Sequence, residues 1–338
     1  MQTTTKPKGL ARIWREIKRP FQRKPDPPVE LLSDWILTEW LFQDDNSSIR
    51  KLAQMFYCHE KFQRMASPEA TLAIISFFLD KKDYGKAENL LDFHLKKCGE
   101  AQIEQFLQVS DFAQKHFKVN ERIKISANVF RMLRDAECRT DVLSELKGKN
   151  IAIVGNAPTQ IGMETGKEID KHDIVIRFND YRIAENYSVD YGVKTSIWGA
   201  NSPLFSHENF GMCQFPVIFV TGTNVQMQHQ WTEALDHFLK NTRFFVIPNY
   251  VIESLRRESR ITDPSSGLRV LYWLKNFVKI EKEKLGIYGF TFNAGQDNFD
   301  FKKNEQHHYF DDGMQCIWHC FSQESLFLRE LFRENTTH

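Results

Sequence analysis

Six short apolar runs between residues 151 and 288 constrain this chain more than any other feature. They are Ile151-Ala152-Ile153-Val154, Ile174-Val175-Ile176, Ser196-Ile197-Trp198, Val217-Ile218-Phe219-Val220, Phe244-Phe245-Val246-Ile247 and Leu285-Gly286-Ile287-Tyr288. Most are rich in Ile and Val and carry no charge. Unbroken apolar character, rather than alternation, marks strands buried on both faces. Helical periodicity lies between several of the runs, most clearly over residues 268–278. Strands alternating with helices imply an α/β unit built on a parallel-rich, Rossmann-like sheet.

Upstream the texture is different. Residues 30–145 read as helices: β-branched runs are few, and apolar residues recur at three and four. Ser67-Pro68-Glu69 is a helix start, with a Ser cap, Pro at the first helical position and an acid in the first turn. Gly85 and Gly99 punctuate the pattern. Similar segments near 48–64, 83–97 and 120–133 suggest degenerate helical-hairpin repeats. The chain therefore divides into a tail and Pro-rich linker (1–29), a small all-helical domain (30–145) and an α/β domain (146–338).

The 338 residues carry 45 Lys and Arg against 44 Asp and Glu, a net charge of +1. That balance excludes a strongly basic nucleic-acid binder. It hides an asymmetry, because residues 1–24 hold eight basic residues and only Glu16, a net +7. Leu10, Ile13, Trp14, Ile17 and Phe21 share one helical face there. A basic amphipathic helix of this kind suits an anionic membrane surface. No run reaches the ~18 apolar residues that a membrane-spanning helix needs. The six Cys, at 58, 98, 138, 213, 316 and 320, form no CxxC, and no zinc-like spacing is present. They read as reduced thiols of a cytoplasmic protein, peripheral at the inner face of the membrane.

In open α/β sheets, ligands bind beyond the carboxyl ends of the strands. The loops there begin Gly155-Asn156-Ala157-Pro158 and Asn179-Asp180. Gly155 permits close backbone approach, and each Asn offers a donor and an acceptor. An Asn in a turn is also an ordinary turn former. Pro264-Ser265-Ser266-Gly267 opens the 268–278 helix. Its free N–H groups and dipole suit an anion, while plain N-capping by Ser needs no ligand. Near the C-terminus stand His307-His308-Tyr309-Phe310-Asp311 and His319 with Glu324. Histidine suits general-base work near neutral pH. A metal reading of the His pair lacks further close ligands.

In order and spacing, these segments resemble the animal-type sialyltransferases, glycosyltransferase family 29. The large family block is matched by Val154-Gly155-Asn156, Gly166, Ile169-Asp170-Lys171-His172-Asp173 and Ile176-Arg177-Phe178-Asn179. Asp190-Tyr191-Gly192-Val193-Lys194-Thr195 matches its tail. The small block is matched from Pro264-Ser265-Ser266-Gly267 to Ile287-Tyr288-Gly289-Phe290. The third is matched by His308-Tyr309-Phe310-Asp311, and the last by His319 with Glu324 five positions on. The resemblance covers roughly 150–332.

The resemblance implies a glycosyltransferase-A variant fold and an inverting transfer from a CMP-activated acidic sugar, with no metal or other cofactor required. By matching positions, Asn156 and Asn179 would hold the CMP phosphate and ribose. Ser265, Ser266 and Gly267 would cradle the cytidine or the sugar carboxylate. His319 would deprotonate the acceptor hydroxyl, and His308 would bond the leaving phosphate. Animal members join the large and small blocks by a disulfide, and here neither block contains Cys. That departure, with no signal anchor or stem in view, points to a bacterial enzyme of surface-glycan synthesis. Its acceptor would be a glycan or glycolipid in capsule, lipopolysaccharide or a lipid-linked oligosaccharide. The motifs read features that CMP-sialic acid and CMP-Kdo share, so the expected donor is sialic acid with Kdo as the alternative. A different class, a non-catalytic nucleotide-binding scaffold using the helical domain for protein partners, is disfavoured by the presence of both His308 and His319. A nicotinamide oxidoreductase is disfavoured by Pro158, where a Gly-rich turn should tighten.

Overall fold

The structure, a computed structural model, describes residues 47–137, 139, 141–179, 181–183, 185–200, 216–219, 232–261, 264–290 and 321–332. The basic tail and its linker therefore lie outside the described residues, as do His308 and His319.

The N-terminal part is helical: α1 (Ser47–Cys58), α2 (Glu60–Met65), α3 (Pro68–Asp80), α4 (Tyr84–Cys98), α5 (Leu107–His116) and α6 (Glu121–Glu137). Local chemistry sets the boundaries. The Ser67 hydroxyl accepts from the Ala70 N–H at 3.2 Å, and Pro68 occupies the first turn. Asp83 caps α4 in the same way, and Gly99 closes it with φ of +64°. The hairpins pair α3 with α4 and α5 with α6. Helices α1, α4 and α6 begin at Ser47, Tyr84 and Glu121, an even step of 37 residues. The core between them holds Leu72, Ile75, Phe78, Leu91 and Ile123.

After the short α7 (Asp141–Leu146) comes the sheet. Its strands are β1 (Ile151–Val154), β2 (Ile174–Phe178), β3 (Ile197–Ala200), β4 (Val217–Phe219), β5 (Phe244–Val246) and β6 (Leu285–Tyr288). All five neighbour pairs in the order β5-β4-β3-β2-β1-β6 run parallel. Each strand lies on one of the apolar runs of the sequence. The intervening helices are α8 (Gly166–Lys171), α9 (Glu185–Tyr191), α10 (Thr232–Asn241), α11 (Asn249–Ser259) and α12 (Ser266–Trp273). A π turn, Leu274–Val278, extends α12, and α13 (Phe321–Leu331) follows β6.

The continuous apolar runs have a direct cause: both faces of the sheet are covered, with only the edge strand β6 half-buried. Ile151, Ile153, Ile176, Ile218 and Phe245 face one layer with Leu255 of α11, Leu271 of α12 and Leu328 of α13. Ala152, Val154 and Val175 face the other with Ile169 and Tyr191. Further along that second face, Trp198, Val217, Phe244 and Val246 meet α10 and the α6 residues Val129, Phe130 and Leu133. Helix α6 thus closes a hairpin and covers the sheet, so the change of texture near 145 is not a gap in packing. Burying one such Ile contributes about 1.5–3 kcal/mol. Ile153→Ala, at a fully buried position, would cost about 2–5 kcal/mol.

Candidate active site

The strand order locates the crevice. From β1 the chain steps outward to β5 and then returns to lay β6 on the other side of β1. The point of reversal is between β1 and β6, and ligands of open α/β sheets bind beyond the carboxyl ends at such a point. Gly155 and Asn156 leave β1 there, Asn179 leaves the adjacent β2, and Gly289 and Phe290 leave β6.

Asn156 is half-buried. Its Nδ2 donates to the Phe178 carbonyl at 3.1 Å, which orients the carboxamide. Its Oδ1 is buried and has no hydrogen-bond partner. A buried acceptor without a donor costs on the order of 1–3 kcal/mol and calls for an explanation. Asn179 has a φ of +48°, a left-handed conformation that Asn tolerates better than most residues. Its N–H donates to the Gly199 carbonyl at 3.0 Å, and its own carbonyl accepts from Trp198 Nε1 at 2.9 Å. The backbone is fixed on both sides while the side chain is exposed.

At the start of α12 the Ser265 hydroxyl accepts from the Leu268 N–H at 3.3 Å. The same hydroxyl donates to Glu324 Oε2 at 2.6 Å, and the Ser265 N–H donates to Oε1 at 2.7 Å. Glu324 is buried, at 4% exposure. Its carboxylate sits at the positive end of α12, where a negative charge is favoured. Ser265 is therefore both cap and tether: it fixes the first turn of α13 to the start of α12. Ser266 is buried in the first turn of α12.

The glycines here make room for protein rather than for open space. A Cβ on Gly155 would collide with the Gly289 carbonyl and come within 3.1 Å of Phe290 Cε2. On Gly267 it would collide with Cε1 of the same ring and come within 2.6 Å of Cζ. The Phe290 ring also meets Phe178 edge-on, with centroids 6.5 Å apart. The Gly155 N–H donates to the Tyr288 carbonyl at 2.8 Å, and the Ala157 N–H to that of Gly289 at 2.9 Å. The loops after β1 and β6 are thereby zipped together. Burial and the Glu168 carboxylate push the Tyr288 phenol up, and it stays protonated while donating to Glu168 Oε1 at 2.8 Å.

Other residues of the large block brace the loops. Asp170 accepts from the Val193 and Lys194 N–H groups, and Asp190 from those of Gly162 and Glu164. Buried Arg177 donates to the carbonyls of Lys194 at 2.9 Å and Tyr191 at 2.6 Å. The structure thus brings Gly155, Asn156, Asn179, Ser265, Ser266 and Gly267 to one edge of the sheet. His308 and His319 lie outside the described residues. The part played by Phe290 and by the Glu324 tether was not legible beforehand, since neither ring contacts nor a cross-chain cap leave a local pattern. Among the described residues, no three His, Cys, Asp or Glu side chains converge, and no helix is long and apolar enough to cross a membrane. Cys58 and Cys98 are free thiols.

Residues 99–216, about a third of the chain, match the model of glycosyltransferase family 29 (sialyltransferase). The matched segment holds α5, α6, β1, β2 and β3, with Asn156 and Asn179. A relative from Oryza sativa subsp. indica, "Sialyltransferase-like protein 2", is 44% identical over 56 residues. That stretch is 17% of this chain and 14% of the relative, so the alignment spans only a small part of the relative's length. Among solved structures, a mammalian sialyltransferase is similar at 18% identity, with a TM-score of 0.43, covering 67% of this chain and 82% of that one. A mammalian sialyltransferase in complex with Gal-beta-1-3GalNAc-ortho-nitrophenol is similar at 18% identity and a TM-score of 0.40, covering 69% and 83%.

Proposed function

We propose that the chain belongs to glycosyltransferase family 29, whose model residues 99–216 match, and that it is an inverting transferase moving sialic acid from its CMP donor to a glycan hydroxyl. One observation carries the reading. The family-matched segment sets Asn156 at the switch point with a buried, unpartnered acceptor. One Nδ2 hydrogen goes to the Phe178 carbonyl, and the buried atom left without a partner is the carbonyl oxygen, which suits a hydroxyl or amino group. We therefore assign it to the ribose of CMP rather than to the phosphate. Asn179 and the N-terminal turn of α12 are left for the anionic parts.

The chemistry follows from the groups that the family pattern supplies. The acceptor hydroxyl gives its proton to His319 as its oxygen bonds to the anomeric carbon. The bond from that carbon to the phosphate oxygen breaks on the opposite face, and CMP leaves as a phosphate monoester. His308 would donate a hydrogen bond to the developing charge, and the α12 start would add its dipole. The glutamate tether supports this arrangement, because Glu324 follows His319 by five residues and is anchored on Ser265.

The finer reading places the enzyme in a bacterial cytoplasm, building surface glycan at the inner membrane face, with residues 1–24 on anionic lipid. The Cys-free large and small blocks and the +7 tail support it. The test is CMP release from CMP-sialic acid and, separately, from CMP-Kdo, with and without glycan acceptors. Acceptor-dependent release from CMP-sialic acid is the expected result. Release from CMP-Kdo alone would reassign the sugar, and release from neither would leave a nucleotide-binding scaffold.

A further inference from the structure

We infer that Phe290 is a positioning residue for the donor site, the ring on which three carboxyl-edge structures take their spacing. The inference rests on the donor reading above. Its basis is convergence. The ring lies over Gly267 in the first turn of α12 and over Gly155 at the start of the loop after β1. It also meets Phe178, the last residue of β2, whose carbonyl orients Asn156. Phe290 itself follows Gly289, which is zipped to Ala157. One ring therefore sets the distance between the Asn156 loop and the α12 turn that carries Ser266.

The two glycines read as the complement of that ring. A Cβ at Gly267 would fall 2.6 Å from Cζ but 3.7 Å from Cδ1. The clash is thus with the outer ring atoms, which leucine lacks. Close-packed interiors do not absorb such an overlap freely. A methyl group at Gly267 would push the ring, and the ring would push the Asn156 loop. No contact between Phe290 and the donor is needed for this effect.

A double-mutant cycle on the full chain tests the inference, with CMP affinity by titration calorimetry as the readout. Gly267→Ala alone should weaken CMP binding about tenfold or more, on the scale of an overpacked site. Phe290→Leu alone should weaken it several-fold. In the Phe290→Leu background, Gly267→Ala should cost less than about twofold, because the atoms it would strike are gone. Equal, multiplicative losses in both backgrounds would overturn the inference. Thermal melts of all four proteins guard against unfolding, and Phe290→Met replaces Phe290→Leu if the latter fails to fold. As a second readout, Phe290→Leu should raise KM for the donor more than it lowers kcat; an equal loss in both would count against a positioning role. If the parent protein binds no CMP, the donor reading itself falls. If it binds CMP and the cycle is multiplicative, only the role of Phe290 falls.

Discussion

Two helices of this molecule start in nearly the same way and serve different ends. Ser67 precedes α3 with φ of −65° and ψ of 158°, and Ser265 precedes α12 with φ of −62° and ψ of 158°. Each hydroxyl accepts from the N–H three residues on, at 3.2 and 3.3 Å. The surroundings then diverge. Ser67 is exposed and answers only to its own helix. Ser265 stands at the carboxyl edge of the sheet and donates to a buried carboxylate 59 residues away. A capping pattern therefore states where a helix begins, and the tertiary neighbours decide whether that start is a site.

If the α12 start is the donor end of an active site, the largest effect should come from His319, the residue proposed above as the base. His319→Ala should lower turnover by about 10²–10⁴ and leave CMP affinity near the parent value. Turnover within about threefold of the parent would remove His319 from that role. No substitution around Ser67 should change turnover at all.

The next effect down is the tether. Glu324→Ala leaves the Ser265 N–H and hydroxyl without their charged partner. Hydrogen bonds to charged groups contribute about 1.5–3 kcal/mol each, so a loss near 3 kcal/mol in urea unfolding is expected. Glu324→Gln should recover part of it, because the amide oxygen still accepts one bond. By contrast Glu69→Ala, next to the Ser67 cap, should cost less than about 0.5 kcal/mol.

Serine substitution compares the two caps directly. Ser67→Ala should cost about 1 kcal/mol, the usual value for an N-cap. Ser265→Ala should cost more, about 2 kcal/mol, because it also leaves Glu324 Oε2 short of a donor. It should weaken CMP binding as well, whereas Ser67→Ala should not. Equal costs at the two positions would mean that the Glu324 bond adds nothing.

Much of this was visible in the sequence because its causes are local. All six strands follow from apolar runs that need burial on both faces, and the Ser67 start from three adjacent residues. The parallel arrangement followed from the alternation with helices. Asn156 and Asn179 could be placed at strand ends, but their opposite states could not. One side chain is half-buried with an orphan oxygen, and the other is exposed on a left-handed backbone. Those states depend on Phe178, Gly199 and Trp198, which reach the loops only through sheet pairing. The glycines tell a similar story. Gly155 and Gly267 suggested room for a ligand, and the occupant of that room is Phe290, more than 100 residues from the first of them. The sharing of α6 between hairpin and sheet was equally invisible, since an apolar stripe does not name its partner.

The smallest expected effect is one of pH, and it belongs to the helical side alone. His94 in α4 is buried, with Nε2 donating to the Ala101 carbonyl at 3.0 Å and Nδ1 without a partner. Burial lowers its pKa below the ordinary value of 6.5; the Ala101 bond opposes this and the Lys97 charge adds to it. The neutral ring is thus the form that fits the fold. Above pH 6.5 the ring is neutral in both folded and unfolded chains, and the stability it supports is fully present. Below 6.5 the unfolded chain takes up a proton that the folded one resists, so stability falls with pH until the lowered pKa is reached. One proton sets an upper slope of about 1.4 kcal/mol per pH unit in that window. Urea titrations between pH 5 and 7.5 should show the slope in the parent and a reduced one in His94→Phe. That variant should lose some stability at every pH, because the Ala101 carbonyl loses its donor. An unchanged slope in His94→Phe would assign the dependence to other groups and leave the orphan nitrogen of α4 as a plain packing cost. The orphan oxygen of Asn156 differs in kind, because a ligand rather than a proton is expected to answer it.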